Sequence, residues 1–322
     1  MGAVRSGQPA SALVAARRPV EPCRLPRAAP RTWLGTSGSV RRLVPTATAV
    51  RRAESHGVAL WERSPPERAR ARAAMQAVVG GTARAGEVEA LAREHVIESR
   101  VREALFWQPW SAPALDSSSA ARLRDVLAGE RGVLLSSCHV GPYLLGVSVI
   151  AAHGRTTYSL AGDWLFDPPA PGYWGRRIAR RRNEARARDE RLVRIGGSFD
   201  LLRSLLAQRE VVSVFFALPG RRETPFLGKP VMLASGSARL AVQADALVVP
   251  IRTRRSADRV WVDVSAPLDP RAFAGPDQLH EALAATHEHS ILELPATMED
   301  PNREGAWEQS ADGEGWRLPH AA

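Results

Sequence analysis

From residue 132 to residue 265 the chain alternates short apolar runs with helix-length stretches, and no other feature narrows the fold as far. Six runs have strand length: 132–138, 156–161, 192–195, 211–218, 246–253 and 259–265. Helical patterns intervene at 142–152, 175–190, 200–208 and 235–243, with a later one at 276–289. Short apolar strands separated by helices predict a largely parallel or mixed central sheet with helices on both faces. The expected fold class is therefore α/β, a single domain with a helical N-terminal part. That part runs from Glu54 to Trp110, through helices at 67–78 and 87–105 separated by Gly80-Gly81. A further helix is expected at 117–127, with serines available to cap it.

The net charge of +10 is unevenly distributed. Residues 1–52 hold ten arginines and a single acid, Glu21, so the remaining chain is close to neutral. A chain charged this way is not a broadly basic nucleic-acid binder, and no nucleic-acid partner is expected. Residues 1–52 read as a basic, disordered tail. They fit a basic arm for anionic membranes, a transit-like leader or a start placed upstream of the true one. Residues 53–307 read as the α/β domain and 308–322 as a polar C-terminal tail, with Trp307 and Trp316 as isolated anchors. No run reaches the roughly 18 apolar residues of a spanning helix. Cys23 and Cys138 are too few for a disulfide framework or a cysteine zinc site. The expected location is cytoplasmic, with peripheral attachment to the inner face of the cell membrane.

Few residues carry a chemical signal. His139 closes the first apolar run in GVLLSSCHVGPYLLG, at the carboxyl end of a buried strand, where α/β proteins gather their chemistry. Alone, a histidine there is more often structural than catalytic. His287 and His289 lack further spaced ligands and read as exposed polar residues on a helix, so no metal site is expected. Gly236 sits where a loop opens a helix, and its backbone can approach a ligand closely.

Two blocks together say more. The segment His139-Val-Gly141-Pro142-Tyr143-Leu144 resembles the HX4D/E signature of the lysophospholipid acyltransferase superfamily. Its usual form in the bacterial lipid A late acyltransferase branch is His-x-Gly-Asn-aromatic-Glu. The second block is Pro225-Phe-Leu-Gly228-Lys-Pro230, then Gly236-Ser-Ala238-Arg-Leu240-Ala241, then Ala246-Leu-Val-Val-Pro250. It is similar to that family's downstream region and follows in the expected order. Coverage extends over about residues 55–307. The resemblance implies transfer of a fatty acyl group from an acyl-CoA or acyl-carrier-protein thioester to a hydroxyl of a lysophospholipid, glycolipid or lipid-like acceptor. His139 would be the general base, with backbone N–H groups near Gly141 binding the oxyanion. Tyr143 and Gly236 would lie at the acceptor or oxyanion. No cofactor is implied beyond the donor itself.

The chain also departs from the family. Leu144 occupies the position of the acid that would hold the imidazole and stabilise its cation. No acid stands at Ala217–Gly220, where many members have one, and Lys229 replaces a glutamate used by some relatives. The candidates for a compensating acid are Glu223 first, then Asp163 and Asp167. Residues 176–191 hold eight arginines against three acids. By the resemblance Arg180 is the residue to grip an oxyanion or phosphate. The other arginines would form a solvated face suited to anionic lipid or an acidic carrier protein. The competing reading is a family member that lost the dyad and binds lipid without catalysis.

Overall fold

The structure, a computed structural model, describes residues 44–108, 113–166 and 172–299. Its strands are β1 (Val133–Ser137), β2 (Thr157–Ala161), β3 (Glu190–Arg194), β4 (Val211–Phe215), β5 (Pro219–Phe226), β6 (Lys229–Leu233), β7 (Leu247–Ser256) and β8 (Arg259–Val264). Six of them form one sheet in the order β3-β2-β4-β1-β7-β8. The five strands from β3 to β7 in that order are parallel, and β8 closes one edge antiparallel to β7. The principal helices are α1 (Thr46–Arg63), α2 (Pro65–Val79), α3 (Val88–Phe106), α4 (Ser117–Ala128), α5 (Tyr173–Ala187), α6 (Phe199–Ala207), α7 (Gly236–Ala244) and α8 (Pro276–Glu293). The predicted class, a mostly parallel sheet between helices, is the observed one.

Alternate side chains of the central strands enter different cores, as the pleat requires. Leu134, Val212, Val214 and Val248 pack with α6, α7 and α8 and with parts of α2 and α3. Val133, Leu135, Val211 and Val249 pack on the other face with Leu123, Val126 and Leu127 of α4. The chain leaves β1 toward β2 and β3, returns at β4, then crosses to β7 on the far side of β1. The carboxyl end of β1 thus lies where the connections diverge, the place where open α/β sheets receive ligands.

Four expectations change. The tail does not extend to residue 52, because α1 starts at Thr46 and buries Val50 against Val101 and Leu105 of α3. Arg51 and Arg52 are exposed on the opposite side, so their charge masked an amphipathic helix. Residues 1–43 and 300–322, including Trp307 and Trp316, lie outside the described residues. Asp116, not a serine, caps α4 by accepting from the Ser119 N–H at 2.7 Å. The helix expected at 142–152 is a 3-10 turn, Tyr143–Leu145, followed by a single helical turn, Ser148–Ala151.

The fourth change is the β5–β6 hairpin, in a stretch for which the sequence predicts no strand. Its strands carry Pro219, Pro225 and Pro230, which argue against a central strand but are tolerated in a two-stranded ribbon with free edges. Phe226 pairs with Lys229 across a two-residue turn, Leu227-Gly228, both at positive φ. Gly228 abuts Gly81, so closely that a Cβ on Gly228 would stand 1.9 Å from the Gly81 carbonyl oxygen. Gly80-Gly81 therefore does more than end α2.

Candidate functional site

His139 follows β1 by two residues and is half-buried. Ser137 of β1 is in register with Phe215, the last residue of β4. That register brings the Phe215 ring under the imidazole, stacked at 4.1 Å between centroids with planes 17° apart. Tyr143 meets the imidazole edge-on at 4.8 Å and meets Phe215 at 5.5 Å. The intervening turn is fixed by Gly141, whose φ of +64° and buried position admit no side chain. A Cβ there would lie 2.2 Å from the Thr253 carbonyl oxygen, and the Thr253 hydroxyl donates to the Val140 carbonyl at 2.9 Å.

A second segment docks on this turn. Val140 bridges Met298 antiparallel, the Gly141 N–H donates to the Thr297 carbonyl at 3.0 Å, and the Glu299 N–H donates to the His139 carbonyl at 2.7 Å. The Tyr143 hydroxyl donates to the Glu299 carboxylate. Helix α3 holds the segment from behind. His95 Nδ1 contacts the Ala296 carbonyl at 3.0 Å, and Arg102 donates to that of Thr297, also at 3.0 Å.

Pro142, Tyr143, Leu144 and Leu145, together with Arg102, Phe106 and Arg177, line a small cleft of about 20 Å³ that is open to solvent. Arg177 pairs with Glu103 and lies over the Phe106 ring at 4.2 Å. Trp107 Nε1 donates to the same Glu103 carboxylate at 2.5 Å. The cleft thus combines an apolar floor with cationic groups held in place by aromatic and acidic neighbours.

The predicted residues separate into two groups. His139, Gly141 and Tyr143 come together, but Gly141 gives its N–H to Thr297 and cannot offer it to an oxyanion. Arg180 stands behind the cleft wall, donating to the Phe106 carbonyl at 2.6 Å and pairing with Glu184 at 2.5 Å. Arg177, one helical turn earlier, occupies the cleft instead. Glu223 is exposed on β5 and makes no hydrogen bond or ion pair among the described residues, so it does not assist His139. Asp163 pairs with Arg194 at 3.1 Å at the exposed ends of β2 and β3, and Asp167 lies outside the described residues. Gly236 opens α7 with free space where a Cβ would point, but is not part of the cleft at Tyr143.

The basic segment is less free than its composition implies. Arg181 and Glu190 form a buried pair at 2.5 Å, and Arg182 donates to the Leu165 carbonyl. Burial would raise the Glu190 carboxyl, yet the Arg181 cation beside it holds it below its ordinary range. Arg176, Arg186 and Arg191 remain exposed. His287, expected on the surface, is instead buried against Ser136 at 2.8 Å and stacks on Phe216. His289 is exposed and pairs with Glu293 at 3.0 Å. Burial pushes the Cys138 thiol up to about 12, which removes it as a nucleophile. Among the described residues no His, Cys, Asp and Glu cluster has the arrangement to hold a metal ion, and no helix is long and apolar enough to cross a membrane.

Glu299 is a carboxylate at this turn to which the sequence reading gave no role. It lies 160 residues from His139, in a polar stretch without periodicity, and only the docking of residues 297–299 brings it to the turn.

No family model matches the chain, and no curated protein does. Among solved structures, a 1-acyl-sn-glycerophosphate (LPA) acyltransferase, PlsC, from Thermotoga maritima is similar at 14% identity with a TM-score of 0.38. The match covers 82% of this chain and 100% of that one.

Proposed function

We propose that this chain is an acyltransferase that moves a fatty acyl group from a thioester to an acceptor hydroxyl, with His139 as general base. The observation that supports it is the placement of His139: at the carboxyl end of the central strand, beside an apolar cleft whose wall is its own motif, Pro142 to Leu145. The donor is acyl-CoA or acyl-carrier protein, and the acceptor a lysophospholipid, glycolipid or related lipid. The spacing of His139, Gly141 and Tyr143 favours the lipid A late acyltransferase-like branch.

In the transfer, the imidazole takes the proton of the acceptor hydroxyl as its oxygen attacks the thioester carbonyl. The tetrahedral intermediate collapses, the carbon–sulfur bond breaks, and the thiolate takes the proton back from the imidazolium. Arg177 in the cleft, rather than Arg180 or the Gly141 N–H, is placed to meet the oxyanion or a donor phosphate. The exposed Arg176, Arg186 and Arg191, with the basic N-terminal segment, would hold the protein on an anionic membrane surface.

The apolar character of the cleft, with Leu144 on its wall, favours one second reading, a lipid-binding protein without turnover. Labelled acyl-CoA and acyl-carrier protein, each with a lipid extract, separate the two by mass spectrometry of acylated products. His139→Ala should abolish product while the melting temperature stays near that of the parent. Full activity in that variant sinks the proposal, and lipid binding without any product from the parent supports the binder.

A further inference from the structure

The motif leaves its histidine without the acid expected five residues on, yet the fold delivers another carboxylate to the same turn. We infer that Glu299 is the positioning acid of this site: its carboxylate, fixed by the Tyr143 hydroxyl, orients His139 and stabilises its cation, taking the role that Leu144 vacates. The inference rests on the acyl-transfer reading for its consequence in catalysis, while the His139–Glu299 coupling itself can be measured without substrate.

Three observations place Glu299. Its N–H donates to the His139 carbonyl at 2.7 Å, while Val140 and Met298 form the adjacent bridge. Residues 139 and 299 are therefore direct cross-strand partners, whose side chains emerge on the same side of the pair, with Cα atoms about 5.5 Å apart. Second, the carboxylate accepts from Tyr143, whose ring edge lies against the imidazole, so the three side chains form one cluster. Third, the segment is clamped before it reaches Glu299, by His95 on Ala296 and by Arg102 and Gly141 on Thr297. A carboxylate so held is pre-positioned rather than recruited.

Two of the neighbouring cations already have carboxylate partners. Arg177 of α5 pairs with Glu103 of α3, and Arg181 of α5, close enough for Tyr143 to act on it electrostatically, pairs with Glu190 of β3. Arg102 of α3 spends a donor on the Thr297 carbonyl. Leu144 meanwhile lines the cleft, where a carboxylate would face an apolar substrate chain. Moving the acid to residue 299 keeps that wall apolar.

The test uses the full chain with Glu299→Gln, Glu299→Asp and Tyr143→Phe, and with Leu144→Glu added to Glu299→Gln. Imidazole titration by NMR, assigned with His139→Ala, is read without substrate, and acyl transfer from labelled acyl-CoA to lysophospholipid is read against pH. In Glu299→Gln the His139 titration should move to lower pH by on the order of one unit, since a nearby carboxylate favours the cation. Transfer should fall about 100-fold, in kcat more than in KM. Glu299→Asp should recover part of it, whereas Leu144→Glu, whose carboxylate would face the cleft, should not. An unmoved titration in both Glu299→Gln and Tyr143→Phe overturns the inference, whatever the activity. A moved titration in a parent that transfers no acyl group leaves the coupling standing and removes the acyl-transfer reading alone. Should Glu299→Gln fail to fold, Glu299→Asp and Tyr143→Phe carry the same comparison.

Discussion

At the scale of single residues, two of the motif glycines, Gly141 and Gly236, do different work, and the difference can be measured. Gly141 has a positive φ and the Thr253 carbonyl where a Cβ would go, so Gly141→Ala must both strain its backbone and displace β7. We expect a stability loss of about 2 kcal/mol or more, read as a lower urea midpoint. Gly236 has no such obstruction at the start of α7. Gly236→Ala should be neutral or stabilising by up to about 1 kcal/mol, because it restricts the unfolded chain. If Gly236 does approach a ligand, that variant will lose transfer activity while its midpoint holds. A midpoint that falls as far for Gly236→Ala as for Gly141→Ala contradicts the assignment of strain to Gly141. The sequence identified Gly141 as special but for another reason, an open N–H. Only the pairing with Thr297 reveals that the glycine shapes the turn rather than offering a donor.

At the scale of elements, the inner strands were legible from short apolar stretches, Val133–Leu135 in β1, the valines of β4 and Leu247–Ile251 in β7. The β5–β6 hairpin was not, because prolines and charges dominate its exposed positions and its turn uses Leu227 at positive φ, where Asn or Gly is usual. That Tyr143 belongs with His139 came from the family resemblance, and the edge-on contact of the two rings fits it. Glu299 was not legible, since cross-strand pairing between segments so far apart leaves no local pattern. Helix α5 shows the same limit for charge. Its arginines read as a solvated face, whereas Arg181 is 8% and Glu190 6% exposed, and the pair ties α5 to β3. Removing one member of such a pair strands the other charge out of water. Glu190→Gln should therefore cost about 3–5 kcal/mol in chemical denaturation. A cost below about 1 kcal/mol, the level of a surface ion pair, would mean that the two charges are hydrated in solution.

At the scale of the molecule, α8 gives the fold a sensitivity to acid. His280 and His287 stand two helical turns apart on its inner face, both against Phe216, at 5.1 and 5.0 Å between ring centroids. Burial lowers both imidazoles from the usual 6.5, His287 to about 3 and His280, with the Arg222 cation adding to the effect, to about 4. His280 contacts Thr224 at 2.9 Å through Nε2, while its Nδ1 is buried without a hydrogen-bond partner among the described residues, so a proton added there has nothing to bond. Above pH 6.5 both histidines are neutral in the folded and unfolded chain, and stability does not depend on them. As pH falls through 6.5 the unfolded chain binds protons that the folded one refuses. Stability then declines until the folded values are reached, near pH 4 and pH 3, at about 1.4 kcal/mol per unit for each group. Glu190, Asp245 and Asp269, held below their ordinary range, add their own losses only at lower pH, where unfolded carboxylates begin to protonate. Burial raises the Glu94 and Glu184 carboxyls, which therefore add stability as pH falls and oppose this decline. The histidine contribution is thus read from the difference between parent and histidine variants over the interval from pH 6.5 to 5. Urea midpoints across it should fall steeply in the parent, by on the order of several kcal/mol in all. They should fall about half as steeply in His280→Gln or His287→Gln compared each with itself at pH 7. Equal slopes in parent and variants would show that these imidazoles are protonated within the folded protein, and that α8 does not set its acid limit.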